Sequence, residues 1–192
     1  MKEKVCKVCR VKFIPLKPLQ SVCGLRCAQS YAWRVKTKTE VDQAKAERKE
    51  IRAKRESIKT RAQWMREAQQ SVNAYVRIRD DKEPCISCGR YHDGQYHGGH
   101  YRSTGSSPSL RFDLSNIHKQ CMPCNTHLHG NLIPYRVNLI QKIGLEEVER
   151  LEGPQEPKKY SIDELKAIIK TYRAKTKEIK NEDNDQGKWN NS

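Results

Sequence analysis

Eight cysteines in four close pairs constrain this chain more than any other feature: Cys6/Cys9, Cys23/Cys27, Cys85/Cys88 and Cys121/Cys124. No apolar run approaches the ~18 residues of a membrane span, and the charged N-terminus lacks an apolar signal region. The expected compartment is therefore the cytoplasm, where disulfides rarely persist and paired thiols read as metal or redox sites. A redox Cys-x-x-Cys needs a βαβ context that is absent here. The first two pairs are separated by thirteen residues and the second two by thirty-two. Both spacings suit four thiolates around one zinc, so two structural Zn²⁺ ions are expected.

Zinc is needed because the apolar supply is thin. Of 192 residues, 35% are hydrophobic and 7% aromatic, against 32% charged. The expected fold is a small, zinc-stabilised α+β protein, in which metal ligation substitutes for part of a core. The net charge of +15 points to a polyanionic partner, nucleic acid before an anionic membrane surface.

Residues 1–33 read as a four-cysteine zinc module. Residues 34–80 contain no Gly, Pro or Cys and are rich in Lys, Arg, Glu, Ala and Gln, which predicts one long basic helix. A 3-4 spacing runs through it: Val41, Ala44, Arg48, Ile51, Arg55, Ile58, Ala62, Met65, Gln69, Val72 and Val76. That seam suits either packing on the same chain or a homodimer. Lys49, Arg52 and Lys59 are candidate phosphate contacts on this helix. Residues 81–152 hold all six histidines and the second quartet, with helical spacing resuming at 134. There Val137, Ile140 and Ile143 share a predicted face, and Gly144 suits a C-terminal cap. Within 153–180, Ser161-Ile162-Asp163-Glu164 has a capping-box pattern and opens an amphipathic helix. The polar tail 181–192 is expected to be disordered.

Inside the second zinc loop, Gln95–Tyr101 suits a strand, Arg111–Ile117 a second strand, and Met122–His129 the start of a helix. This order resembles the HNH, or ββα-metal, nuclease motif. Gly99-His100 matches its Gly/Asp-His step, and Asn116-Ile117-His118-Lys119-Gln120-Cys121-Met122-Pro123-Cys124-Asn125 matches its Asn-to-Cys-x-x-Cys-Asn run. The phage junction-resolving enzyme endonuclease VII similarly places an Asn after the last of four zinc cysteines. The resemblance implies that His100 is the general base, Asn116 braces the loop, and Asn125 binds a catalytic Mg²⁺ or Mn²⁺. Where the motif commonly has a metal-binding Asp, this chain has Gly99. His97 lies two positions back on the same strand face and is the candidate replacement, with Gly99 leaving room for it. His129, four residues after Asn125, is the next candidate ligand, and His127 is its rival. His92, His118 and His127 read equally well as surface or zinc-adjacent residues. Arg102 and Arg111 are candidate contacts to flanking phosphates.

These residue types suit phosphodiester hydrolysis. Neutral imidazole titrates near pH 7 and can deprotonate water, while a cation with few protein ligands keeps positions open for phosphate. Over most of residues 1–180 the chain resembles the NinG family of lambdoid phages, also called Rap. The carrying features are the first quartet, the basic helix, Cys85-Ile86-Ser87-Cys88-Gly89, His97-Gly98-Gly99-His100-Tyr101-Arg102, Leu110-Arg111-Phe112, and Gly130-Asn131-Leu132-Ile133 with Tyr135-Arg136. The resemblance implies a phage-encoded endonuclease in the bacterial cytoplasm that cuts branched recombination intermediates such as Holliday junctions and D-loops. Two other readings stay open: a non-catalytic zinc protein regulating replication or transcription through nucleic acid, and an HNH nuclease with another DNA target.

Overall fold

A computed structural model describes residues 2–189, with side chains through Glu182. The chain divides into two compact units, Met1–Lys59 and Thr60–Ser192.

In the first unit, β1 (Lys4–Val5) and β2 (Lys12–Phe13) form a minimal antiparallel hairpin. Helix α1 (Leu25–Ser57) follows, opening within the second cysteine pair. Its residues are good helix formers with no breaker. None of them is buried. This unit therefore draws little on apolar burial.

The expected single helix over 34–80 is two helices. α1 ends at Ile58, and Thr60 turns to an extended backbone before α2 (Arg61–Arg79). The Thr60 hydroxyl accepts from the Gln63 N–H, while the Gln63 side chain accepts from the Thr60 N–H. This reciprocal capping box satisfies two orphan donors and starts a new helix without Gly or Pro. The heptad seam is thereby interrupted. Of its second half only Val72 and Val76 are buried, with Met65 partly so and Ala62 exposed. The face that α2 buries also carries Trp64 and Ala68, outside the seam, and these four join Phe112, Ile117, Tyr160, Leu165 and Ile169 in one core cluster. The last two belong to α5 (Ile162–Trp189), which begins at the expected capping box of Ser161 and Glu164. α5 continues through most of the tail expected to be disordered, and positions 190–192 lie outside the described residues.

α2 and α5 pack on each other, and a two-stranded antiparallel ribbon of β3 (Tyr96–His100) and β4 (Ile117–Cys121) packs on α2. Its register pairs His97 with Gln120, Gly99 with His118, and His100 with Ile117. The second strand thus begins where it was expected to end. Pro108–Phe112 forms a 3₁₀ turn. The Asp113 carboxylate then accepts from the Ser115 N–H and its carbonyl from the Asn116 N–H, which turns the chain before β4. After β4, the expected helix over Met122–His129 is a single π-helical turn, Pro123–His127. His129, Gly130 and Asn131 then adopt positive φ, so the regular helix α3 starts only at Leu132 and runs to Ile143.

Gly144 caps α3 at φ 86° and opens α4 (Leu145–Glu152). The face that α3 buries carries Tyr135 and Leu139, whereas Val137 of the expected face is exposed. Tyr135 and Leu139 pack with Ile86, Tyr101, Leu110, Val148 and Leu151 in a second apolar cluster. Asp80, at the end of α2, accepts two bonds from Arg79 and one from the Lys119 N–H, tying α2 to β4. Burial pushes the Asp80 carboxyl up, but Arg79 more than offsets this and its pKa falls below the usual value.

Candidate metal centres and active site

Each quartet is assembled by two short turns. In the first, the Cys6 carbonyl accepts from the Arg10 N–H, and Cys6 donates to the Val11 carbonyl. Arg10 sits at φ 65°, which closes the knuckle around Cys6 and Cys9. Cys23 lies just before α1 and Cys27 in its first turn. The four sulfurs lie within 4.8 Å of one another. The thiols cannot all ionise together without a cation. Burial raises the Cys6 pKa, yet backbone N–H groups hold it down at about 6, whereas its neighbours raise Cys23 to about 12. Zn²⁺ suits this donor set.

The second quartet is built alike. The Gly89 N–H donates to the Cys85 carbonyl, and the Cys121 N–H to the Cys85 sulfur. Its four sulfurs are also within 4.8 Å of one another. Here Cys85, Cys121 and Cys124 are buried. The sulfur of Cys88 lies 3.2 Å from His92 Nε2, so His92 is adjacent to the quartet.

His100 ends β3 on the face that meets α2. Its Nε2 lies 3.0 Å from the Arg111 carbonyl oxygen. A carbonyl can only accept, so Nε2 carries the proton and Nδ1 keeps its lone pair. Burial lowers the His100 pKa below 6.5, so the ring is neutral at pH 7. The Gln69 amide approaches the same ring at 3.5 Å. Asn116 is fully buried. Its Oδ1 accepts from the Arg102 N–H at 2.7 Å, and its Nδ2 donates to the Arg102 and Leu110 carbonyls. It therefore fixes both ends of the loop preceding Arg111, and through Arg111 the orientation of His100.

His97 projects to the opposite ribbon face, by strand alternation. The Asn125 amide donates to His97 Nδ1 at 2.9 Å, which brings two candidate ligands together. His129 is different. Its φ of 48° puts it beyond the π-helical turn, so no common helix face joins it to Asn125. His127 and His129 are both exposed. His118 is buried beside Tyr135 of α3 and the Arg79–Asp80 end of α2: Nε2 meets the Ser115 carbonyl at 3.0 Å, and Nδ1 lies 3.2 Å from Arg79. The room expected at Gly99 for His97 is occupied, since a Cβ there would meet Gln120 Oε1 at 2.0 Å.

Lys49 and Arg52 are exposed on α1, and Arg52 pairs with Glu56. Lys59 lies in the break after α1 and not on a helix. Arg102 is half-buried, with its Nε lacking a hydrogen-bond partner, and Arg111 reaches Gln69 at 3.5 Å. Sequence reasoning missed Gln69, Gln120 and the Tyr101–Glu152–Arg136 cluster. The glutamines carry no pattern that singles them out, and the cluster joins residues from three separate segments.

The family described as "Bacteriophage Lambda NinG protein" matches residues 1–182. Protein ninG of Escherichia phage 933W is 38% identical over 187 residues, 92% of this chain and 93% of the relative. Protein ninG of Escherichia phage lambda is 46% identical over 131 residues, covering 68% and 64%. The Salmonella phage P22 protein is 45% identical over 130 residues, with the same coverage. No solved structure matches the chain.

Proposed function

The chain belongs to the NinG family of bacteriophage proteins, and on that premise we propose that it is a metal-dependent endonuclease of branched DNA. The observation that carries the reading is His100: its Nε2 is committed to the Arg111 carbonyl, and burial keeps the ring neutral. Nδ1 is left as a base for water. Asn116 holds the loop that presents the Arg111 carbonyl, so the tautomer is set before substrate arrives. His97 and Asn125 offer one imidazole nitrogen and one amide oxygen, the amide turning over to present it. Such neutral donors fit Mn²⁺ or Mg²⁺. A bound divalent cation would neutralise charge on the scissile phosphate and leaving oxygen. Arg102 and Arg111 both follow His100, Arg111 meeting it through its carbonyl, and are the candidate contacts to neighbouring phosphates. The basic helix α1 adds affinity without base contacts, which favours recognition of DNA shape over sequence.

The second reading is a non-catalytic zinc protein that binds nucleic acid. It is favoured by α1, which carries ten basic and five acidic residues and buries none of them. That reading needs both quartets but not His100. Labelled linear, forked and four-way DNA, incubated with and without added Mg²⁺ or Mn²⁺, separates the two. Cleavage of branched substrates is expected to fall about 10²–10⁴-fold in His100→Ala, with junction affinity retained. Because burial lowers the His100 pKa, the fall in rate with acid should come at a lower pH than an ordinary imidazole base would give. Binding by the wild type with no cleavage in either metal would leave the second reading.

A further inference from the structure

We infer that the side-chain oxygen of Gln120 is a third ligand for the divalent cation that His97 and Asn125 would hold. The inference rests on the metal-dependent reading above and extends it to a residue of β4. Gln120 is fully buried, and its Oε1 has no hydrogen-bond partner. Buried acceptors are nearly always paired, so an orphan calls for a missing partner. The amide cannot be turned over to remove the problem. Its Nε2 donates to the Ser87 hydroxyl and to the Gly130 carbonyl, each at 2.5 Å. Ser87 gives its own proton to the Gly130 carbonyl. Both neighbours of Nε2 are therefore acceptors, and Oε1 in its place would face two oxygens.

The register places this oxygen on the His97 side of the ribbon. Gln120 is directly opposite His97, and directly opposed residues in an antiparallel pair share a face. Gly99 lies on that face too, two residues from His97, and Oε1 fills the space a Cβ at 99 would take. Gly99 thus lets the amide lie flat against β3. The Asn125 amide reaches the same face through its bond to His97. Gln120 is buried, whereas His97 and Asn125 are half-buried. The set has one donor inside the protein and two at its surface, which leaves outward positions for phosphate oxygens. Its chemistry, one imidazole and two amide oxygens, takes Mn²⁺ or Mg²⁺ in preference to a thiophilic ion.

The test uses the full-length zinc-loaded protein. Mg²⁺ is titrated while the Gln120 side-chain carbonyl carbon and the His97 ring nitrogens are followed by NMR, and Mn²⁺ affinity is measured by electron paramagnetic resonance. The expected result is a saturable shift of the Gln120 carbonyl with the same midpoint as His97. Gln120→Met, similar in volume but without the oxygen, should bind Mn²⁺ at least about tenfold more weakly. Response at His97 with none at the Gln120 carbonyl would overturn the inference, because the orphan would then belong to a buried water. So would a folded Gln120→Met variant with wild-type Mn²⁺ affinity. If Gln120→Met fails to fold, the wild-type titration still decides. A wild-type protein that binds neither ion fails differently, since the metal-dependent reading falls first and takes this inference with it.

Discussion

The two cysteine quartets have the same local chemistry in opposite settings. Of the first unit's cysteines only Cys6 is buried, Cys9 and Cys23 are exposed, and α1 contributes no buried residue. Val5, Val11, Ile14, Leu16 and Leu19 all lie on the surface. In the second unit three of four cysteines are buried, beside two apolar clusters drawn from α2, α3, α4 and α5. Zinc thus has two expected uses within one chain. In the first unit it takes the place of a core. In the second it pins a polar loop to a core that exists without it.

The largest effect expected from that contrast is on metal removal. Zinc ligation is worth about 10–16 kcal/mol of apparent folding free energy in small metal-dependent modules. Cys9→Ser should abolish amide-exchange protection throughout residues 4–23. Cys124→Ser should melt β3, β4 and the Pro123–His127 turn but leave protection in α2 and α5. Equal loss in both units would break the comparison.

A second effect belongs to the core-supported unit alone. Burial lowers the His118 pKa to about 4, with Arg79 and Lys142 adding to the shift and Asp80 and the Ser115 carbonyl opposing it. The unfolded chain then binds a proton that the folded chain refuses between pH 6.5 and about 4. Stability contributed by neutral His118 is full above pH 6.5 and is lost as pH falls through that window, by about 3 kcal/mol at 1.4 kcal/mol per unit. Chemical denaturation of wild type and His118→Gln at pH 7 and pH 4.5 measures it. An identical pH dependence in the two proteins would remove His118 as the cause.

The first unit is expected to contribute to binding more than to stability. Lys49→Gln combined with Arg52→Gln should weaken binding to every DNA and flatten the slope of log affinity against log salt by about two at most. The thermal midpoint should not move. An unchanged slope would shift the phosphate contacts to the second unit. The smallest effect sits at the join. Thr60→Ala removes half of the capping box and should destabilise α2 by about 1 kcal/mol, read as a lower denaturant midpoint. Because α1 buries nothing, its helicity should be unaffected.

Thr60 also shows what could be read along the chain and what could not. Thr60-Arg61-Ala62-Gln63 has the capping pattern, yet no Gly or Pro marks the break and the heptad spacing runs across it. Propensity decides that both stretches are helical, and only packing decides where one stops. The seam residues Val72 and Val76 were identified by periodicity, but their partners Leu165 and Ile169 lie some ninety residues away. Strand phase failed for a similar reason. The Asp113 side chain accepts from the Ser115 N–H and bends the backbone, so most of the stretch expected as a strand over Arg111–Ile117 is a turn.

The sequence by itself determined which thiols gather into two quartets and that most of 34–80 and 162–180 is helical. These follow from short spacings and from residue chemistry that acts within a few positions. Only the tertiary structure decided which face of α2 is buried, that His118 is a core residue, that His129 leaves the turn carrying Asn125, and that Gln120 fills the space above Gly99. Each of these depends on a contact between segments distant in sequence. A side chain such as Gln120 has no distinguishing pattern until its hydrogen-bond partners, Ser87 and Gly130, have been brought around it.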